Sequence, residues 1–176
     1  METQANILIV IGSAPGVQED IASVPGPCPR DYMAIGMDAV SLSSAPLRWL
    51  ATFHPAEIPE IMKRRTALIG HVDFTIISHE RREHVAHCID DWWKPSGSSA
   101  LLGVQAALTV LGYRRIILCG VPLTGKNFAG GDYENFRKGW EPRLKELGGR
   151  VRSMSGWTAD FLGRPDAGWL GGGGEK

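Results

Sequence analysis

Short runs of consecutive apolar residues recur along the chain, separated by stretches in which apolar positions return every three or four residues. Asn6–Ile11, Phe74–Ser78 and Arg115–Cys119 are near-continuous runs of Ile, Leu, Val and Phe. Strands buried on both faces read this way, because neither face alternates with water. Met33–Gly36, Leu50–Phe53 and Arg150–Met154 complete six predicted strands. Helices fit between them. Pro55–Arg65 carries Ile58, Ile61 and Met62 on one face, and Ser98–Leu111 is apolar nearly all round, with Gly112 as the residue past its end. Asp132–Leu147 has an acidic start and closes on "ELGG". The Pro- and Gly-rich stretch Gly16–Arg30 has no period and predicts a loop. In "SHERREHVAH", His79, Glu83 and His87 fall at i, i+4 and i+8, which predicts one helix face. The alternation gives an α/β fold: a Rossmann-like three-layer sandwich around a mostly parallel sheet of about six strands, with right-handed crossovers.

In such folds ligands bind beyond the carboxyl ends of the strands, so the residues just after each strand carry the functional information. The first strand runs into Gly12-Ser13-Ala14-Pro15-Gly16. Gly12 permits close backbone approach, and Ser13 offers a hydroxyl and an N–H. The loop is not G-x-G-x-x-G, so the dinucleotide fingerprint is absent. Ser96, Gly97, Ser98 and Ser99 open an apolar helix. Their hydroxyls and the unpaired N–H groups of a first turn suit an anion, while Ser98 also serves as an ordinary N-cap. His54 and His79 each follow a strand directly. Either suits a general base or a phosphate contact, and either suits a loop histidine bonded to backbone.

Residues 120–127, "GVPLTGKN", have the spacing of a phosphate-binding P-loop. The final Ser or Thr is replaced by Asn127, Gly130-Gly131 would interrupt a helix there, and the loop follows the fifth strand rather than the first. Gly120 is therefore read as part of the ligand edge, not of a nucleotide-hydrolysing P-loop. The His79–Glu83–His87 spacing matches neither zinc-peptidase helix motif, so no metal site is predicted. Trp92-Trp93 read as packing residues, and Trp157, Phe161 and Trp169 as core anchors or as a surface for self-association.

Composition narrows the classes. The 176 residues suit a single domain over 1–170, with residues 171–176 a flexible Gly-rich tail. Nineteen basic residues balance nineteen acidic ones, which gives no general surplus for a nucleic-acid backbone, and no nucleic-acid partner is expected. Three cysteines without paired spacing read as free thiols of a reducing compartment. The opening apolar run is too short for a signal-peptide core or a membrane span, so the cytoplasm is the expected location.

"SGSSALLGVQAALTVLGYRRIILCGVPLTG", with "IVIGSAPG" and "ATFHPAEI" before it, resembles segments of bacterial sialyltransferases and of 6-hydroxymethylpterin diphosphokinase-like proteins. The resemblance touches three loops in order, over about half the chain. It implies a Rossmann-like sheet whose first loop and Ser/Gly loop hold the nucleotide of a CMP-sugar, or a nucleoside triphosphate. Gly12, Ser13, Pro15, His54, Ser96, Gly97 and Ser98 would inherit binding roles. The family's Gly-x-Asp is Gly120-Val121-Pro122 here, and no histidine follows His87 where the sialyltransferases place their base.

The expected function is a glycosyltransferase-like transferase binding a nucleotide or nucleotide-sugar. Gly12–Gly16, Ser96–Ser99 and Gly120 would hold phosphate, His54 or His79 would act as the base, and Asp38 would be a polar partner for ribose or acceptor. Two alternatives stay open. One is a diphosphokinase-like enzyme requiring Mg²⁺, for which Asp38 and Asp73 are the available acids. The other is a non-catalytic nucleotide-binding or scaffold module.

Overall fold

All five residues of Ile7–Ile11 are buried, as expected of a strand covered on both faces. It is β1 of a computed structural model that describes residues 6–27, 29–42, 44–94, 98–125 and 132–171. The chain continues through α1 (Val17–Ala22), β2 (Arg30–Ile35), α2 (Gly36–Ala39) and β3 (Trp49–Thr52). A 3₁₀ turn (Pro55–Glu57) leads into α3 (Ile58–Ile69), followed by β4 (Thr75–Ser78), β5 (Val85–Cys88), α4 (Ser99–Thr109) and β6 (Arg115–Cys119). Then come α5 (Glu134–Trp140), α6 (Leu144–Leu147), β7 (Val151–Ser153), α7 (Gly156–Leu162) and α8 (Ala167–Leu170).

Among the described residues seven strands form one sheet, in the order β5-β4-β3-β2-β1-β6-β7, and every pairing is parallel. From β1 the chain steps outward strand by strand to β5, then returns through α4 to place β6 on the other side of β1. The winding reverses between β1 and β6, which makes their carboxyl ends the topological switch point.

The strand pleat sorts the core into two layers. Leu8 and Val10 face Leu101, Val104 and Trp140 on one side of the sheet. Ile7, Ile9 and Ile11 face Val17, Ile58 and Ile61 on the other. α4 packs across β1 to β4, and its residues Ala100 to Ala107 are all buried, which accounts for its apolar circumference.

Three expectations are corrected. "VAHC" (85–88) is a seventh strand paired with β4 through a bulge at Ile76/Ile77, not part of a helix. Hence His79, Glu83 and His87 share no helical face; the charged run before Val85 hides a very short strand. The stretch Gly16–Arg30 contains α1, a six-residue helix whose Val17 is buried and whose polar face shows no repeat. Asp132–Leu147 is interrupted by a 3₁₀ turn at Glu141–Arg143, where Pro142 cannot supply an intrahelical N–H.

On the α3 face, Arg65 is fully buried. Its guanidinium donates to both Asp73 carboxylate oxygens (Nε–Oδ1 2.8 Å, NH2–Oδ2 2.7 Å), and to the carbonyls of Val40 and Ala45. Asp73 also accepts the Leu47 N–H at 2.8 Å. Asp73, one of the two acids that the diphosphokinase reading offered to Mg²⁺, is thus engaged in tying the α2–β3 connection to α3. Burial alone would raise the Asp73 pKa, but the Arg65 and Leu47 hydrogen bonds and the Arg65 charge together hold it below its ordinary 3.8.

Because the folded-state pKa is lowered, this stabilisation is present above the ordinary carboxylate range and is lost as pH falls through the lower folded value. Asp73→Ala strands a buried guanidinium and is expected to cost about 3–5 kcal/mol at neutral pH. In urea unfolding, the gap between wild type and variant should narrow as pH falls from about 4 toward 2. A gap that stays constant across that range would contradict the assignment.

Candidate functional site

At the switch point β1 and β6 end against each other. The Gly12 N–H donates to the Cys119 carbonyl (2.8 Å) and the Ala14 N–H to the Gly120 carbonyl (3.2 Å). A Cβ on Gly12 would lie 2.1 Å from the Gly120 oxygen and 2.8 Å from Val121 Cγ2, so only glycine permits this approach. Gly120 adopts φ +67°, and a Cβ there would meet Val17 at 2.7 Å. Both glycines are therefore required by the packing of the two strand ends.

Above this junction lies a cleft of about 350 Å³. Gly12, Ser13 and Ala14 line it from β1, and Ile35, Gly36, Met37 and Asp38 from β2 and α2. His54 and Glu57 contribute from beyond β3, Ser98, Ser99 and Ala100 from the start of α4, and Gly120 to Leu123 from beyond β6. Tyr133 and Phe136, at the start of α5, close the wall, with ring centroids 5.8 Å apart.

Backbone N–H groups supply the positive character of this surface. Ser98 caps α4, its hydroxyl accepting the Leu101 N–H at 3.4 Å. The first-turn N–H groups of Ser99 and Ala100, and that of Ser13, have no acceptor among the described residues. The Ser99 hydroxyl accepts the Phe53 N–H at 3.0 Å, joining β3 to α4, and its own proton can still be donated. The described lining residues include two carboxylates and one histidine, with no Lys or Arg. Asp38 is exposed and ion-paired with Arg64 at 3.2 Å. Glu57 is half-buried and has no ion-pair partner among the described residues, and His54 is exposed at the rim.

The structure thus brings together Gly12, Ser13, Ala14, Asp38, His54, Ser98, Ser99 and Gly120. Pro15 and Gly16 are exposed and do not line the cleft; Gly16, at φ +86°, precedes α1. His79 lies outside the lining, its ring against Phe53 (4.5 Å) and Trp92 (6.1 Å), with Nδ1 buried and unpaired. Ser96, Gly97, Lys126 and Asn127 fall outside the described residues. The next described helix after Gly125 begins at Glu134.

Glu57, Tyr133, Phe136 and Leu123 were not singled out from sequence. Glu57 stood within the "HPAE" segment at a strand end, and the Tyr133/Phe136 spacing of three was the available signal for an aromatic wall. Trp92 and Trp93 are half-buried; Trp92 packs on Phe53 (4.9 Å), and Gln105 accepts the Trp93 N–H (2.8 Å). Trp157 stacks on Phe161 at 4.7 Å, and Trp169 lies beneath Arg115 and Arg152 with its indole N–H on the Gly149 carbonyl. These C-terminal aromatics anchor α7 and α8 to the chain's own sheet. No helix among the described residues is long and apolar enough to cross a membrane.

The fold is an α/β Rossmann-like fold of the kind seen in sialyltransferases. It is similar to the sialyltransferase CstII of Campylobacter jejuni in complex with the substrate analogue CMP-3FNeuAc, with a TM-score of 0.63 and 14% identity over 91% of this chain and 88% of that one. A second structure, the sialyltransferase CST-II with a trisaccharide acceptor and CMP, gives a TM-score of 0.64 and 14% identity over 91% and 86%. No family model matches the sequence. No curated protein matches it by sequence.

Gly12→Ala should force the β1 and β6 ends apart. The expected loss is about 1–3 kcal/mol of stability, measured by urea unfolding. A variant as stable as wild type would show that the two loops are not in the contact described.

Proposed function

We propose that the cleft binds a nucleotide-sugar, of the CMP-sugar kind, and that the protein is a glycosyltransferase-like transferase. The observation that carries this reading is that Ser13, Ser99 and Ala100, whose N–H groups have no acceptor among the described residues, line one cleft with an aromatic wall. Backbone dipoles at a helix start and a glycine loop suit a phosphate, and Tyr133 and Phe136 suit the flat face of a base or sugar. The solved structures of similar fold, with CMP or a CMP-sugar analogue bound, support the same reading.

Charge supports a ligand of low anionic charge. Glu57 opposes a polyanion, and no arginine or lysine among the described lining residues offsets it, while Asp38 is paired with Arg64 outside the lining. A phosphodiester carries one negative charge, which a few N–H groups can hold. A triphosphate would need more cation than these residues offer.

The chemistry is a displacement at the anomeric carbon. His54 takes the proton of the acceptor hydroxyl, whose oxygen bonds to the anomeric carbon. The bond from that carbon to the phosphate oxygen breaks, and its electron pair leaves with the nucleoside monophosphate. Ser13, Ser99 and Ala100 N–H groups stabilise the departing phosphate. Asp38 and Glu57 accept bonds from ribose or acceptor hydroxyls. His79, outside the lining, takes no part.

Thermal unfolding with CMP, CMP-sugars, UDP and ATP, each with and without Mg²⁺, tests the reading. CMP and CMP-sugars should raise the unfolding temperature as ligand is added, and ATP should not. His54→Ala should keep that shift while lowering transfer to an acceptor sugar by about 10²–10⁴-fold. No shift with any nucleotide would overturn the proposal. CMP-sugar binding without hydrolysis or transfer by wild type would assign a nucleotide-binding module instead.

A further inference from the structure

Behind the cleft, one carboxylate oxygen joins three distant parts of the chain. Asp20 Oδ2, on α1, accepts the Gly120 N–H at 2.8 Å and the Ser155 hydroxyl at 2.8 Å. Gly120 is buried and begins the loop after β6; Ser155 precedes α7. The other side of the Gly120 residue is held as well, since its carbonyl accepts the Ala14 N–H at 3.2 Å. The chain of contacts thus runs from Ser155 through Asp20 and Gly120 to Ala14, the residue next to Ser13, whose N–H has no acceptor among the described residues.

We infer that Asp20 is a positioning residue for the anion-holding loops, setting the Gly120 peptide and through it the Ser13 N–H. The inference rests on the nucleotide-sugar reading of the cleft. Asp20 is not a lining residue, so it acts through the backbone and not on the ligand. Gly120 sits at φ +67°, where glycine has alternative conformations nearby. Asp20 selects one of them by taking the N–H, and Ser155 fixes the carboxylate in turn. Other bonds hold the rest of the loop: Thr158 Oγ1 donates to the Val121 carbonyl at 2.6 Å, and Arg137 Nε to the Leu123 carbonyl at 2.8 Å. Neither reaches the Gly120 N–H, which leaves that peptide to Asp20.

The role requires an acceptor atom and not a charge. An amide oxygen in the place of Oδ2 can accept both bonds, and its NH2 group would occupy the position of Oδ1, which has no hydrogen bond among the described residues. Asp20→Asn should therefore behave as wild type, and Asp20→Ala should not. This separates positioning from electrostatics, because both substitutions remove the charge.

The test combines CMP titration calorimetry with amide hydrogen exchange on wild type, Asp20→Ala, Asp20→Asn and Ser155→Ala, well below the unfolding temperature of each. In Asp20→Ala the Gly120 amide should lose protection and CMP affinity should fall on the order of tenfold. Asp20→Asn should restore both, and Ser155→Ala should give a smaller loss of both. Wild-type affinity in Asp20→Ala, or an affinity loss in Asp20→Asn equal to that in Asp20→Ala, would overturn the Asp20 assignment while leaving the functional reading standing. Should Asp20→Ala fail to fold, an unchanged Gly120 amide and CMP affinity in Ser155→Ala would overturn it. Failure of wild type to bind any nucleotide overturns the functional reading, and the positioning role with it.

Discussion

The contact between the ends of β1 and β6 is the constraint on which the site depends. In a sheet wound outward from β1 in both directions, the two connections leaving these strands go to opposite faces, and a crevice opens between them. The crevice stays usable only if the strand ends are close enough for backbone groups of both loops to face one space. Gly12 and Gly120 provide that closeness by lacking side chains, at a separation where a Cβ would overlap a carbonyl oxygen. The interaction is steric before it is chemical. It determines where the first loop turns and where the α4 start must lie to complete the rim.

The second constraint is electrostatic. Described side-chain cations are absent from the lining, while two carboxylates are present. Any anion must therefore be held by backbone N–H groups, which are directional and weak one by one. Such a site depends on geometry far more than one built around an arginine, whose long side chain adjusts to its ligand. The network behind the loops, in which Asp20 and Thr158 bind the backbone just after β6 and Ser155 binds the Asp20 carboxylate, fits that demand for rigidity.

The central strands were legible because burial on both faces leaves an unmistakable apolar run, as in "ILIVI" and "RIILC". α4 was legible for the same reason, and Ser98 as its cap because a hydroxyl before an apolar helix has few other uses. β5 was not, since four residues at a sheet edge carry only two alternations, and the four charged residues Glu80–Glu83 stand just before them. α1 was hidden by its length and by the Pro and Gly around it. In the site, residues at strand ends could be located from topology. Tyr133 and Phe136 could not: their spacing of three marks one helix face, but what brings that face to the cleft is the tertiary placement of the α5 start, which the local sequence does not encode.

Separating what the fold consumes from what it leaves over changes the weight of each site residue. Gly12 and Gly120 are used by packing, Ser98 by the helix cap, Ser99 in part by the Phe53 backbone, and Asp38 by Arg64. Their presence at a cleft is explained without a ligand. Among the described residues Glu57 has no ion-pair partner and the Ser13 and Ala100 N–H groups have no acceptor, while His54 is exposed at the rim. A half-buried carboxylate and unpaired N–H groups gain most when a ligand supplies what water supplies in its absence. The chemical argument for the site therefore rests less on the glycine and serine pattern that first marked it than on these leftover groups, which the fold orients and does not satisfy.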